Sequence, residues 1–221
     1  MSTRIQPLTF GFLLAPFLLL AAVTAALADS WLPPQETTYT SSSGAFVFTV
    51  MPPSFEERDK YYNERYKDKG NRPSTEELRG RFPCVGRLVN SKNHDETVWE
   101  RPLLNDIAPV SALVTSNGNY VVTFDEWHSV GYGPNVVVIY GSDGKVIRRL
   151  SLADFLSKGH IASLPHSVSS IFWGAGHYID EAQEKIILRV FESGTMFSEP
   201  SPEIREIQIV LATGEIVESA R

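Results

Sequence analysis

The sequence predicts an all-β protein built from three four-stranded antiparallel meanders with short helical insertions. Short runs rich in Val, Ile, Tyr and Phe recur along the chain, and the dipeptides Asn117-Gly118 and Asp143-Gly144 are strong hairpin turns. Residues 37–50 also align with residues 111–124 almost position by position. A repeated unit of this kind indicates a fold assembled from similar sheets.

The chain opens with a segment typical of a secretory signal peptide. Arg4 precedes an apolar run, and the Ala-Leu-Ala sequence ending at Ala28 supplies the small residues that cleavage needs. The run is also nearly long enough for a transmembrane anchor, but the Ala-x-Ala pattern before Asp29 favours cleavage. We therefore expect residues 1–28 to be removed, residues 29–221 to form a single β-repeat domain, and the protein to be exported to the periplasm or outside the cell.

The composition and net charge restrict the classes of molecule that the protein is expected to bind. Removal of residues 1–28 from the 221-residue chain leaves 193 residues, and loss of Arg4 changes the formal net charge from −6 to −7. An acidic chain with no cluster of Lys and Arg is a poor candidate for binding nucleic acid or, after signal cleavage, a membrane. An unknown protein or small-molecule ligand remains as partner, and homo-oligomerisation stays open. The single Cys84 opens an apolar run, so we expect a packed strand residue, with a reactive thiol as the alternative.

The first unit covers about residues 37–101 and carries a helical insertion at residues 51–83. Its four predicted strands are the two within residues 37–50, followed by Cys84–Val89 and Thr97–Arg101. Inside the insertion, Ser54 and Ser74 each begin a capping box. The first predicted helix runs to about Asp68, before Gly70, and the second is ended by Gly80 and Pro83.

The second unit covers residues 111–150 and the third covers residues 168–219. Val136–Tyr140 is apolar at every position, as expected of a strand buried on both faces. Ser151 predicts the start of a short helix that Gly159 ends. The later strands of the third unit are predicted at Lys185–Phe191, Ile204–Leu211 and Glu215–Glu218. Its beginning has two interpretations: residues 168–173 and 177–180 form one strand broken by Gly174-Ala175-Gly176, or two short pieces.

Aromatic-rich four-stranded repeats with DG or NG turns resemble the blades of β-propellers. The chain lacks the Gly-His and Trp-Asp signature of WD repeats. The segments around Asn105-Asp106 to Pro109 and at residues 125–133 are similar to an uncharacterised family of secreted bacterial proteins with propeller-like repeats. That resemblance implies no activity, and we expect Asp106 to be a turn or cap residue.

Loop length differs between the two ends of the predicted meanders. The turns between strands one and two, and between strands three and four, fall at one end and are short. The remaining connections fall at the other end and are long; they are residues 51–83, 102–110, 126–135, 151–167 and 193–203. Since function on a β scaffold usually sits in elaborated loops, we expect the working surface at this long-loop end.

Residues 125–135 form the densest candidate site. Asp125, Trp127, His128 and Tyr132 could bind a ring-bearing ligand or serve acid–base chemistry. The alternative is a loop whose aromatic residues plug the core while its glycines permit unusual backbone angles. The strand count places Trp127, His128 and Tyr132 at the same end as both predicted helical insertions.

His166, Trp173 and His177 form a second candidate group that could approach the first. His128, His166 and His177 could in principle share a metal, but their spacing matches no ligand pattern, so we expect no metal and no other cofactor. The sequence holds no Gly-x-Ser-x-Gly elbow, no phosphate-binding loop and no cysteine pair. It therefore predicts an exported, non-catalytic binding or interaction module. The alternative is a secreted hydrolase or lyase that acts on a glycan or lactone at the long-loop end.

Overall fold

The computed structural model describes residues 32–67, 70–94, 96–192 and 203–217, so the predicted signal peptide lies outside the described residues. Three four-stranded antiparallel sheets, each a meander in chain order, confirm the predicted fold class. Sheet 1 contains β1 (Thr37–Thr40), β2 (Phe46–Met51), β3 (Val85–Asn90) and β4 (Glu96–Pro102). Sheet 2 contains β5 (Ser111–Val114), β6 (Val121–Phe124), β7 (Val137–Tyr140) and β8 (Val146–Leu150). Sheet 3 contains β9 (Gly174–Asp180), β10 (Lys185–Phe191), β11 (Ile204–Val210) and β12 (Ile216–Val217).

Sheet 2 is the middle layer and packs on both faces. The apolar residues between sheets 1 and 2 include Phe48, Leu88, Trp99, Val121 and Tyr140. Those between sheets 2 and 3 include Val122, Ile139, Ile186, Leu188 and Ile209. Successive side chains of a strand point to opposite faces, so a strand between two sheets must bury side chains at consecutive positions. For this reason every residue of β6 and β7 is buried.

The outward faces of sheets 1 and 3 each carry a cross-strand ion pair. On sheet 1, Arg87 Nε lies 2.5 Å from Glu100 Oε2, across the pairing of β3 with β4. On sheet 3, Arg189 Nε lies 3.9 Å from Glu206 Oε1, across the pairing of β10 with β11. These side chains are roughly half exposed, so the ion pairs add little to stability. They leave each end of the stack with a face that water can solvate.

The sheets also repeat the way in which they pack. A Cβ added to Gly144, in the turn between β7 and β8, would lie 2.7 Å from the indole of Trp99 in sheet 1. A Cβ on Gly214, in the equivalent turn of sheet 3, would collide with Arg148 of sheet 2. Both glycines have positive φ angles, of 73° and 68°. In both sheets, a large side chain of the preceding sheet therefore packs against the glycine of this turn. A residue larger than glycine would displace that side chain.

The insertion between β2 and β3 contains α1 (Phe55–Arg65) and α2 (Thr75–Arg81). Ser54 and Ser74 are the N-caps, and each hydroxyl accepts from a backbone N–H three residues on, which confirms the predicted starts. The ends differ from the prediction. The predicted end at Asp68 lies outside the described residues, but α1 already ends at Arg65. Gly80 does not end α2, because it keeps a negative φ and the helix continues to Arg81.

The second insertion begins as predicted and ends differently. Ser151 forms a capping box with Asp154 around a single 3₁₀ turn, Leu152–Asp154. A separate helix, α3 (Lys158–Ser163), then begins after Ser157, whose hydroxyl accepts from His160 N. The prediction that Gly159 ends a helix is wrong, because the new N-cap places Gly159 in the first turn of α3.

The bounds of the first strand of sheet 3 show that both interpretations of its sequence are wrong. β9 contains the three residues Gly174-Ala175-Gly176, and residues 168–173 are not a strand. Gly174 pairs with Val190 of β10, and Ala175 and Gly176 lie in the register shift between Leu188 and Val190. β11 ends at Val210, one residue before the predicted end, and β12 is two residues long as described. Tertiary pairing here overrides the weak strand preference of glycine.

Cys84 is fully buried between sheets 1 and 2, which confirms that it is packed, but β3 begins one residue later, at Val85, so Cys84 is not a strand residue. Burial, reinforced by the nearby charges of Glu126 and Asp106, raises the pKa of the thiol to about 12, so the reactive thiolate is suppressed. Among the described residues, no helix has the length and hydropathy needed to cross a membrane.

Candidate functional site

Residues of the long connections meet at one end of the stack. The ring of Phe55, in the first insertion, lies edge-on to Trp127, with centroids 5.5 Å apart. The ring of Phe155, in the second insertion, lies 5.6 Å from Trp173. Gly131, in the loop after β6, lies close enough to Ile171 that a Cβ would come within 2.8 Å of it. The long connections thus contact one another at the end of the stack that the meander topology predicts.

A cleft of about 450 Å³ opens at this end between β5 of sheet 2 and β9 of sheet 3. The side chains that define it are Leu113, Phe124, Asp125, Phe172, Trp173 and His177. It brings together three residues of the two predicted groups, Asp125, Trp173 and His177. Chain order alone does not show this convergence, because Asp125 and Trp173 are 48 residues apart.

A stack of aromatic rings forms one wall of the cleft. His177 lies between Phe124, at a centroid distance of 4.6 Å, and Trp173, at 4.7 Å. The planes are nearly parallel, with angles of 26° and 19°. Gly174 makes this stack possible, because a Cβ there would lie 2.9 Å from His177 Nε2. The glycine predicted to break the strand therefore lets the imidazole lie against the backbone of β9.

Asp125 is the charged group of the cleft. Its Oδ1 accepts hydrogen bonds from Gly131 N at 2.7 Å and from Trp173 Nε1 at 3.1 Å. Burial raises the pKa of this carboxyl to about 6, although both hydrogen bonds favour the charged form and oppose that rise. Its φ of 58° is rare for a residue other than glycine, and aspartate tolerates it better than most. The carboxylate is therefore held in one orientation.

His177 is neutral at physiological pH. Burial lowers its pKa to about 4, because the stack removes water from the imidazolium form. Within the described part of the chain, its Nδ1 is buried and has no hydrogen-bond partner. A neutral imidazole fixed between two rings acts as an aromatic wall and a weak polar contact, and it carries no positive charge into the cleft.

The other predicted site residues lie outside the cleft. Trp127 is half-buried against Phe55 and the core between sheets 1 and 2, and its ring centroid lies 6.1 Å from that of His128. Tyr132 is 39% exposed, and His166 Nδ1 lies 3.2 Å from Leu164 O. No three His, Cys, Asp or Glu side chains gather into a metal-binding group anywhere in the described ranges. Ligand binding by these four residues stays a prediction.

Glu126, which the sequence analysis missed, lies in a second buried polar cluster beneath α1. Its Oε1 accepts from Asn135 Nδ2 at 3.1 Å, and its Oε2 accepts from Asp106 N at 2.9 Å. Burial raises the pKa of the carboxyl to about 7, against the effect of both hydrogen bonds and of Arg79. Arg58 of α1 pairs with Asp106 at 3.4 Å. Asp106, which lies in a bend, therefore fastens the helical insertion to the loop by an ion pair and caps none of the described helices.

The cleft continues into a groove along the first strand of every sheet. This groove, of about 550 Å³, is lined by β1, β5 and β9 and shares Ala112, Leu113 and His177 with the cleft. At its far end the short turns meet, where Glu181 Oε1 accepts from Ser116 N at 2.7 Å. The three first strands thus line one groove.

Comparison with known proteins leaves the site to be interpreted from its own geometry. No protein-family model matches the chain, and no curated protein matches it in sequence. The fold and the site together define an all-β protein of three stacked meander sheets, with an aromatic cleft that contains one buried carboxylate.

Proposed function

We propose that this chain is an exported, non-catalytic binding module whose cleft between sheets 2 and 3 holds a small ring-bearing ligand. One observation carries the proposal: Asp125, Trp173 and His177 converge from distant positions on a cleft of about 450 Å³. Pockets for small molecules have this size and are lined by apolar and aromatic groups with few polar ones.

The rigidity of the wall supports binding. Trp173 is 1% exposed, and its indole N–H is engaged by both carboxylate oxygens of Asp125 at 3.1 and 3.2 Å. A preformed wall loses little conformational entropy when a ligand arrives. Phe172, which is 40% exposed, offers a further ring at the mouth.

Nuclear magnetic resonance on the indole N–H groups tests this proposal. In a titration with a library of single-ring fragments, we expect compounds that shift the Trp173 Nε1–H resonance without moving that of Trp99. Trp99 is the matched control, because it is buried between sheets 1 and 2. A Trp173→Phe variant assigns the resonance. If no fragment shifts Trp173, or if Trp99 shifts equally, the proposed site is wrong.

A secreted hydrolase or lyase acting on a glycan or lactone is the second candidate. The observation that favours it is the pKa of Asp125, raised to about 6, because a carboxyl that titrates near neutral pH can act as a general acid. Glu126 belongs to the separate cluster with Asn135 and does not pair with Asp125 in the cleft. Hydrolysis of nitrophenyl glycosides or of dihydrocoumarin, abolished by Asp125→Asn, would establish this candidate in place of the first.

Export and the propeller-like family likeness belong to the same proposal. The repeated contacts of turn glycines with the preceding sheet support the interpretation of the sheets as blades. Mass spectrometry of the mature protein tests export: we expect an N-terminus at Asp29. A mature chain that begins before that residue would contradict the predicted cleavage.

A further inference from the structure

The cleft and the groove carry charge of one sign. The charged residue that lines the cleft is Asp125, and the one that lines the groove is Glu181. Among the described residues, no Lys or Arg lines either space. A smaller recess of about 280 Å³ at the edge of sheet 3 differs, because Arg205 lies there beside Glu206. The cleft is thus a negative site within an acidic protein.

The carboxylate of Asp125 is only partly compensated. Asp125 is 6% exposed, and the groups that stabilise its charge are two neutral donors, Gly131 N and Trp173 Nε1. A buried charge is costly unless an opposite charge pairs with it. The cleft therefore lacks a positive partner for its one charged group.

The aromatic walls of the cleft also favour a positively charged ligand. Phe172 presents a half-exposed ring, and Trp173 and Phe124 enclose the neutral His177. Aromatic faces attract cations, and cages of such rings with an acidic group are the usual way in which proteins hold organic ammonium groups. The carboxylate repels an anionic ring, and a neutral ring can gain only a hydrogen bond from it.

We propose that the cleft selects a small organic cation, an ammonium group carried on an aromatic ring or a short apolar chain, held by Asp125 and the half-exposed ring of Phe172. This inference rests on the proposed function and names the class of its ligand. The nearby His177 does not compete for Asp125 as a cation, because its pKa of about 4 leaves it neutral at physiological pH.

Three compounds of nearly equal size test the proposal: benzylamine, benzyl alcohol and benzoate. In titrations followed by the Trp173 Nε1–H resonance at pH 8, we expect benzylamine to bind at least tenfold more tightly than benzyl alcohol. Benzoate should bind more weakly than either. The preference for the amine should shrink as the pH falls through 6, where Asp125 becomes protonated.

The variants Asp125→Asn and Glu181→Gln make a matched pair. Asparagine tolerates the positive φ and its Oδ1 can keep both hydrogen bonds, so Asp125→Asn removes the charge with little change of shape. We expect it to abolish the preference for benzylamine, while Glu181→Gln, at the far end of the groove, retains it. Melting curves confirm that both variants fold.

The possible outcomes separate this inference from the proposed function. If benzyl alcohol binds as tightly as benzylamine, the cation inference is overturned and the binding site stands. If the amine preference survives in Asp125→Asn, the assigned carboxylate is wrong. If none of the three compounds shifts Trp173 at millimolar concentration while other single-ring fragments do, the ligand class is wrong. If no fragment at all shifts it, the proposed function fails as well.

Discussion

Replacing Glu126 by Gln should change the stability of this protein in opposite directions at acidic and alkaline pH. Glu126 is 8% exposed and accepts hydrogen bonds from Asn135 and from the backbone of Asp106. Glutamine has nearly the same shape and has one oxygen in place of two. The substitution therefore removes a charge and about one hydrogen bond, and it leaves the packing beneath α1 in place.

The magnitude follows from the pKa of the carboxyl. The ordinary value is 4.5, and burial raises it to about 7 in the folded protein. Between these values the folded chain holds a proton that the unfolded chain has released, so the free energy of unfolding falls as pH rises from 4.5 to 7. Above pH 7 the free energy of unfolding is lower by about 3 kcal/mol than it is below pH 4.5. Glutamine carries no charge and therefore avoids this decrease, but it loses a hydrogen bond worth about 1 kcal/mol. At pH 8 the free energy of unfolding of the variant should therefore exceed that of the parent by about 2 kcal/mol.

Urea unfolding followed by tryptophan fluorescence measures this difference directly. At pH 8 we expect Glu126→Gln to be about 2 kcal/mol more stable than the parent, and at pH 4.5 about 1 kcal/mol less stable, since only the lost hydrogen bond then counts. Glu64→Gln, on the exposed side of α1, is the control and should show no such reversal. A difference of the same sign at both pH values would refute the reasoning.

Two further substitutions test the packing of the long-loop end and of the turns. Trp127→Ala should cost about 2 kcal/mol, less than a fully buried Trp, because the half-buried ring holds Phe55 of α1; an unchanged melting temperature would contradict this role. Gly144→Ala should cost clearly more than Gly44→Ala in thermal unfolding. Both glycines have a positive φ, so both variants bear backbone strain of about 1 to 2 kcal/mol, but only the new Cβ at position 144 meets Trp99. Equal costs would show that the contact with Trp99 is unimportant.

The sheets could be predicted from sequence because their signals are local. The Asn117-Gly118 and Asp143-Gly144 turns occur in hairpins of sheet 2, and the consecutive apolar residues of β7 reflect burial on both faces. Helix starts at Ser54 and Ser74 were equally clear, since an N-cap acts within three residues. Helix ends were not clear, because Gly80 can be accommodated within a helix whose end is set by later residues.

The site could be predicted only in part, because it depends on contacts between distant segments. Asp125 and His177 were candidates by residue type, but their shared cleft exists because sheet 3 packs on sheet 2. Glu126 was missed because nothing in its neighbours indicates burial. It becomes buried when the loop containing Asp106 and the insertion containing Arg58 fold over it. Its one sequence signal was an acidic pair directly after the strand Val121–Phe124.

The face of sheet 1 that points away from sheet 2 differs in a few side chains from the corresponding face of sheet 2. Sheet 1 matches sheet 2 in layout, but the positions equivalent to Ala112 and Val138 are Thr38 and Arg87, so the stacking surface that sheet 2 offers to a neighbour is missing. A few side chains thus decide whether a sheet of this layout can pack against a further sheet. A gene that duplicated another sheet at this end would also have to replace those side chains before the new copy could dock.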